Sequence, residues 1–380
     1  MQLTDNAKEV MSNMYNQTTG YLSRMIKFDN NRERRVRMYN PICSTVRQDA
    51  EKVKICVYDY NKDYVKQHEL KDVREAFTFK ENGNISWINI DGIRKADIEA
   101  IGEHFGIHPL IQEDILSIGQ RPKMDEGDDI MYCLLNMLYF NEDTITVEQE
   151  QISIVLGKNF VITFQEDADR DVFNGIREKL NIPKSKLRSA SADYLAYSMI
   201  DTIVDFYFVV MDKLSDKLEA VEEEIIRAAS TRSLAQINSL RRELIVLRRN
   251  VLPVRDMVSG IIRSDSPLLD ERVMRYFKDV SDHITQAADM VENYRDMIMS
   301  MQDLYLNKAN IRLNEVMKVM AIVTCLMAPA TVIGGIFGMN FDRIPYIHNR
   351  YGFFIAVALM LLVPVYMIYL FKKRGWFKRM

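Results

Sequence analysis

The chain has 380 residues, with 50 Lys+Arg against 53 Asp+Glu and a formal net charge of -3. That balance gives no global electrostatic reason to expect nucleic acid as a partner, and 48% hydrophobic with 27% charged residues excludes a disordered chain. The length predicts two or three units, and four cysteines without a CxxC spacing indicate neither a disulfide framework nor a cysteine zinc site.

Residues 1–40 are polar, mildly basic and aperiodic, which predicts a loosely ordered arm. Asp5, Lys8 and Glu9 interrupt the start before any apolar stretch, so no signal peptide is expected. Short runs rich in Ile, Val, Tyr and Phe follow at 54–60, 85–91, 129–140, 151–156 and 160–164, bounded by turn signals such as Gly157-Lys158-Asn159. Helical patterns interrupt them at 95–105 and 110–118, with Pro109 placed for a first helical position and His108 read as structural. The reading is a cytosolic α/β domain over 41–189.

From Ala190 the strand signal stops. Residues 193–228, 234–258 and 269–319 carry apolar residues at three- and four-residue spacing, with Pro253 and Pro267 as punctuation. This predicts a helical domain and stalk over 190–318. The last helix meets no breaker before the apolar stretch that follows. Continuous from 269 to 339, it would be about 106 Å long at 1.5 Å per residue and would need partners along its side.

Two runs of 21 residues, 319–339 and 351–371, contain no Asp, Glu, Lys, Arg or His. Each spans roughly 31 Å as a helix, about the thickness of the hydrocarbon core. They predict transmembrane helices at 319–340 and 351–371, joined by an outer loop 341–350. The tail 372–380 carries Lys372, Lys373, Arg374, Lys378 and Arg379 without an anion, so the positive-inside rule places it, and hence the N-terminal body, in the cytoplasm. That run and Trp376 also suit lipid headgroups.

Along the first apolar run, Asn314, Met317, Met320, Thr324, Ala328, Thr331 and Gly335 recur at a mean spacing of 3.5, one seam of a supercoiled parallel bundle. Such a seam serves a pore and plain helix packing equally, and Gly334-x-x-x-Gly338 is itself a packing motif.

Gly338-Met339-Asn340, closing the first run and opening the loop, resembles the signature of the CorA family of divalent-cation channels. Asn314-Glu315-Val316-Met317, Pro329-Ala330-Thr331, Gly106-Ile107-His108-Pro109-Leu110, Glu113-Asp114-Ile115-Leu116, Gln120-Arg121-Pro122-Lys123 and Tyr276-Phe277-Lys278-Asp279 are similar to the family too, over roughly residues 85–376. The resemblance implies an α+β membrane protein assembled as a pentameric funnel in a prokaryotic-type inner or plasma membrane. The first span would line the pore and the second face lipid. It implies influx of Mg2+, with Co2+ as a second cargo, down the electrochemical gradient.

The resemblance further assigns a selectivity site to Gly338, Met339 and Asn340, and pore positions to Asn314, Met317, Met320, Thr331 and Gly335. Glu113, Asp114, Asp201, Asp279 and Asp282 match acids that would bind regulatory Mg2+ across subunit interfaces and hold the pore shut. Neutral carbonyl oxygens at Asn340 suit a hydrated Mg2+, since tight carboxylate binding would prevent release. The loop departs from the family: Asp342 is its only acid, beside Arg343, His348 and Arg350, and Ala328 stands where a methionine is expected. The competing readings are a zinc-transporting ZntB branch, against which Met339 argues, and a membrane-anchored scaffold. No Walker A, GxGxxG or HExxH pattern occurs, so an enzyme is not expected.

Overall fold

A computed structural model describes residues 49–127, 129–167, 170–339 and 351–376. The arm 1–40, Asn340, the loop 341–350 and the tail end 377–380 lie outside the described residues. The chain divides into two compact units, residues 1–212 with 245–291, and residues 213–244 with 292–380.

The first unit is built on a seven-stranded sheet. Its strands are β1 (Lys54–Tyr60), β2 (Val65–Leu70), β3 (Ile85–Asp91), β4 (Lys123–Glu126), β5 (Ile130–Asn141), β6 (Thr146–Gly157) and β7 (Phe160–Gln165), in the order β2-β1-β3-β7-β6-β5-β4. All neighbours are antiparallel except β3 and β7, which run parallel with Ile88 opposite Ile162. Alternation sorts the side chains. Ile55, Val57, Ile88 and Ile90 join one apolar core with Ile98, Ile101 and Phe105 of α1 (Lys95–Phe105) and Ile111 and Ile115 of α2 (Pro109–Leu116). Cys56, Tyr58, Trp87, Asn89 and Thr163 therefore fall on the other face, where Trp87 Nε1 donates to Thr163 Oγ1, and Thr163 to Asn89 Oδ1.

Local signals set the helix ends. Gly106 ends α1 at φ 78°, a left-handed position that disfavours a Cβ. His108 accepts from the Leu110 amide through Nδ1 at 3.2 Å and Pro109 opens α2, so the histidine is an N-cap, as expected of a structural residue. Gly157 is held by close approach: a Cβ there would lie 2.2 Å from Phe160 Cζ.

Two strands and several helices lie outside the sequence expectation. β2 (VKQHEL) and β4 (KMDE) are the sheet edges. Edge strands are short and charged as a guard against pairing with other chains, which removes the apolar alternation that marks the inner strands. A 3-10 helix (Val73–Phe79), α3 (Asn174–Asn181) and α4 (Lys186–Ser189) are also additional.

The long helices are α5 (Ala192–Arg227), α6 (Thr231–Arg263), α7 (Glu271–Phe337) and α8 (Gly352–Lys373). Pro253 lies inside α6 without ending it, within the helical pattern expected at 234–258. Leu247, Val251, Val254 and Val258 around it are all buried, and that packing outweighs the lost backbone hydrogen bond. Pro329 likewise sits inside α7 without ending it. In the first unit, Tyr207 on α5 donates to the Asn136 carbonyl, and Asn250 on α6 accepts from Asn136 Nδ2, tying both helices to β5.

In the second unit, Ser230 caps the start of α6, its Oγ accepting from the Ser233 amide, while Ser233 Oγ donates to Glu224 Oε1. Among the described residues, three helices carry windows long and apolar enough to cross a membrane. The window of α5 is 56% buried within the chain, so its apolar side chains serve the protein's own core. Those of α7 and α8 are only 6% buried, and such uncovered apolar surface demands lipid or other subunits.

Candidate ion path and metal-binding acids

The C-terminal half of α7 places Asn314, Met317, Met320, Thr331 and Gly335 on its surface, all exposed within the single chain. Met317 and Met320 are 67% and 65% exposed. Neighbouring glycines differ in their surroundings. A Cβ on Gly334 would meet Met360 of α8 at 3.8 Å, whereas one on Gly335 would meet nothing within 4 Å. Gly334 thus has one side chain of α8 beside it, and Gly335 is uncovered. The helix ends just beyond, where the Gly338 amide donates to the Gly334 carbonyl at 2.9 Å and the Met339 amide to Ile336. A Cβ on Gly338 would press the Gly334 carbonyl at 3.0 Å.

Both threonines on this stretch bond their own helix. Thr324 Oγ1 donates to the Met320 carbonyl at 2.9 Å and Thr331 Oγ1 to the Met327 carbonyl at 3.0 Å. A hydroxyl whose proton is committed in this way offers only lone pairs to its surroundings.

The five sequence-predicted acids lie on three helices and do not meet at one point within one chain, although Asp279 is near enough for its charge to help raise the Asp201 carboxyl. Glu113 is exposed on α2. Asp114 pairs with Lys123 at 2.5 Å, and its backbone carbonyl accepts from Gln151 Nε2. Asp279 and Asp282 are exposed on α7. Asp201 on α5 is half-buried and accepts from Tyr197 OH at 3.3 Å.

Asp201 instead joins two residues the sequence reading did not select. Asp205, one turn along α5, and His283 on α7 bring one ligand atom each within 4.8 Å of each other and of Asp201. His283 Nδ1 lies 4.0 Å from Asp205 Oδ1 and makes no hydrogen bond. Burial, and then the charge of Asp205, raises the Asp201 carboxyl above its ordinary range, with His283 acting in the opposite sense. A cation between the two carboxylates relieves that repulsion. The donor set suits more than one metal: carboxylates serve hard Mg2+, while imidazole favours Co2+, Ni2+ and Zn2+. The i, i+4 spacing of Asp201 and Asp205 was visible in sequence; the partner on α7 was not.

Comparison with known proteins adds the following. The model of the family described as CorA-like Mg2+ transporter protein matches residues 82–373. The cobalt/magnesium transport protein CorA of Thermotoga maritima is 37% identical over 331 residues, covering 87% of this chain and 93% of that one. The complete structure of the CorA magnesium transporter of Methanocaldococcus jannaschii superposes with a TM-score of 0.70 at 24% identity, over 85% of this chain and 98% of that one, a likeness of fold. By contrast, the zinc transport protein ZntB of Yersinia pestis is 19% identical over 290 residues, 76% of this chain and 87% of that one.

Proposed function

The chain belongs to the CorA family of Mg2+ transporters, a transport protein rather than an enzyme, and from that premise we propose a channel that admits Mg2+, and Co2+ after it, down the electrochemical gradient. The observation that carries the reading is the uncovered row on α7. Asn314, Met317, Met320, Thr331 and Gly335 line the pore when several α7 helices stand side by side, five by family resemblance. The threonine hydroxyls turn lone pairs outward, matching the donor hydrogens of a hydrated cation. Met317 and Met320 form an apolar constriction that closes by dewetting. Gly338, Met339 and Asn340 are the outer selectivity site.

The same proposal divides the chain into a cytosolic body over 41–318, with its α/β part to residue 189, and two spans at 319–340 and 351–371. Lys372, Lys373 and Arg374 end the second span, which supports cytoplasmic termini. Mg2+ on the cytosolic side holds the channel shut by binding the acids Glu113, Asp114, Asp201, Asp279 and Asp282, to which the cluster adds Asp205 and His283. Loss of that ion restores carboxylate repulsion and loosens the assembly.

The test is ion flux into proteoliposomes carrying the full-length protein, with Mg2+, Co2+ and Zn2+ compared and with the Asn340→Ala variant alongside. Mg2+ entry that disappears in the variant is expected. Zn2+ entry with little Mg2+ would move the protein to the zinc branch, and no flux from a well-folded oligomer with internal Mg2+ removed would leave only an anchored scaffold.

A further inference from the structure

Asp201 joins the cluster with Asp205 and His283 while one of its oxygens is already engaged. Tyr197 stands one turn before it on α5, at the i, i+4 spacing that brings two side chains together on a helix face. Its phenol donates to Asp201 Oδ2 at 3.3 Å. Burial, and then the charge of Asp201, pushes the phenol up, so the group is a donor at neutral pH.

The ring behind that hydroxyl is held on several sides. Tyr197 is buried, and its ring centroid lies 5.3 Å from that of Tyr194 on the same helix. Tyr276 and Phe277, near the start of α7, stand at 5.2 and 5.8 Å. Lys186 of α4 caps the group: its exposed side chain donates to Tyr276 OH, with the ammonium 4.1 Å from the centre of that ring and 5.4 Å from that of Tyr194. Aromatic pairs of this kind contribute about 0.5–1.5 kcal/mol each beyond their burial. The ring cluster thus fixes Tyr197 and also seats the stretch of α7 that carries Asp279 and His283 beside α5.

Two demands conflict at Asp201. A carboxylate that receives an ion has to be charged and to hold one orientation, yet Asp201 is half-buried, with Asp205 and Asp279 adding negative charge nearby. A neutral donor on Oδ2 meets both demands. It favours the charged form without placing a cation where a metal would arrive, and it leaves Oδ1 and the remaining lone pairs of Oδ2 for the ion. Asp114 is the contrast, since its carboxylate is engaged by the Lys123 ammonium. Hydrogen bonds that support a ligand carboxylate are worth roughly 10–100-fold in metal affinity.

We propose that Tyr197 is a positioning residue for the cluster of Asp201, Asp205 and His283, holding the Asp201 carboxylate in the orientation that receives a divalent cation. The proposal rests on the reading of that cluster as a regulatory metal site and adds to it a residue that touches no ion.

The test is titration of the full-length protein in detergent with Co2+ alone, read by the visible absorption of the bound ion, with melting in EDTA measured alongside. A parent signal that changes in His283→Ala locates the cluster. Tyr197→Phe keeps the ring and its packing and removes only the donor. It is expected to raise half-saturation by Co2+ about tenfold, while the melting temperature in EDTA stays close to the parent's. Tyr194→Phe takes a hydroxyl from the same ring cluster, one that makes no hydrogen bond to Asp201 among the described residues, and should leave half-saturation where it was. An unchanged half-saturation in Tyr197→Phe, or an equal rise in Tyr194→Phe, would overturn the positioning role and leave the cluster standing. Absence of a His283-dependent Co2+ signal in the parent would remove the cluster itself, and the proposal with it.

Discussion

Lys123 Nζ lies 2.5 Å from Asp114 Oδ2, with side-chain exposures of 37% and 15%. One of the acids assigned to regulatory Mg2+ is therefore already neutralised within its own chain. Under the proposed regulation, an ion reaching Asp114 competes with a lysine, which would shift the response to higher Mg2+. The pair is partly solvated, so its worth is modest, about 1 kcal/mol or less.

Lys123→Gln should release that competition. The Mg2+ concentration giving half-maximal thermal stabilisation is expected to fall roughly three- to fivefold, the equivalent of about 1 kcal/mol. An unchanged or raised half-point would remove Asp114 from the regulatory site.

His283→Ala separates the ions. Imidazole contributes more to Co2+ than to Mg2+, so half-saturation by Co2+ should rise about tenfold while that by Mg2+ moves less than about twofold. Both can be read from metal-dependent melting of the full-length protein. Equal loss for the two ions would mean that His283 only supports the local packing.

Glu150 gives a pH prediction in the first unit. It is buried on β6, its Oε1 accepting from the amides of Glu166 and Asp167, and burial raises its carboxyl to about 7. A raised folded value means stability fully present below the unfolded value near 4.5 and lost as the pH rises through about 7. Glu150→Gln keeps the amide acceptor and removes the charge. The variant should melt higher than the parent at pH 8, by the equivalent of roughly 1–3 kcal/mol, with the advantage shrinking toward pH 5. A variant less stable at pH 8 would show that the ionised carboxylate is what holds the 166–167 backbone.

Gly157→Ala should destabilise the sheet. The new methyl would collide with the ring of Phe160, itself buried against Phe105 at 4.9 Å between ring centroids. Overpacking of this kind costs about 1–3 kcal/mol. A chemical-denaturation midpoint equal to the parent's would show that the ring swings aside freely.

Strands with strong apolar alternation and helices with clear periodicity were legible residue by residue: β1, β3 and α1 fall on the expected residues. The sheet edges were not, because Gln67, His68 and Glu69 in β2 carry the polar side chains of an edge. Pro253 stood inside the helical pattern read at 234–258, and the buried residues around it carry α6 on to Arg263 despite local propensity. At the candidate metal-binding cluster, sequence offered Asp201 but could not supply His283, which lies about 80 residues away and meets Asp201 and Asp205 only when α7 packs beside α5. Ion-pairing of Asp114 with Lys123 was equally hidden, although both residues sit in motifs that carried the family resemblance.

The parallel pairing of β3 with β7 also sets an order of events during synthesis. β5 and β6 meet through a short local turn, but Ile88 cannot find Ile162 until the ribosome has released the chain beyond residue 165. Non-local closure of this kind is slow relative to hairpins. Roughly 150 residues still separate that point from the first uncharged run, and translation at roughly 5–20 residues per second takes about 8–30 seconds to cover them. The sheet thus has time to close while its apolar sequel is still unmade, and a nascent chain with a completed sheet is what reaches the insertion machinery.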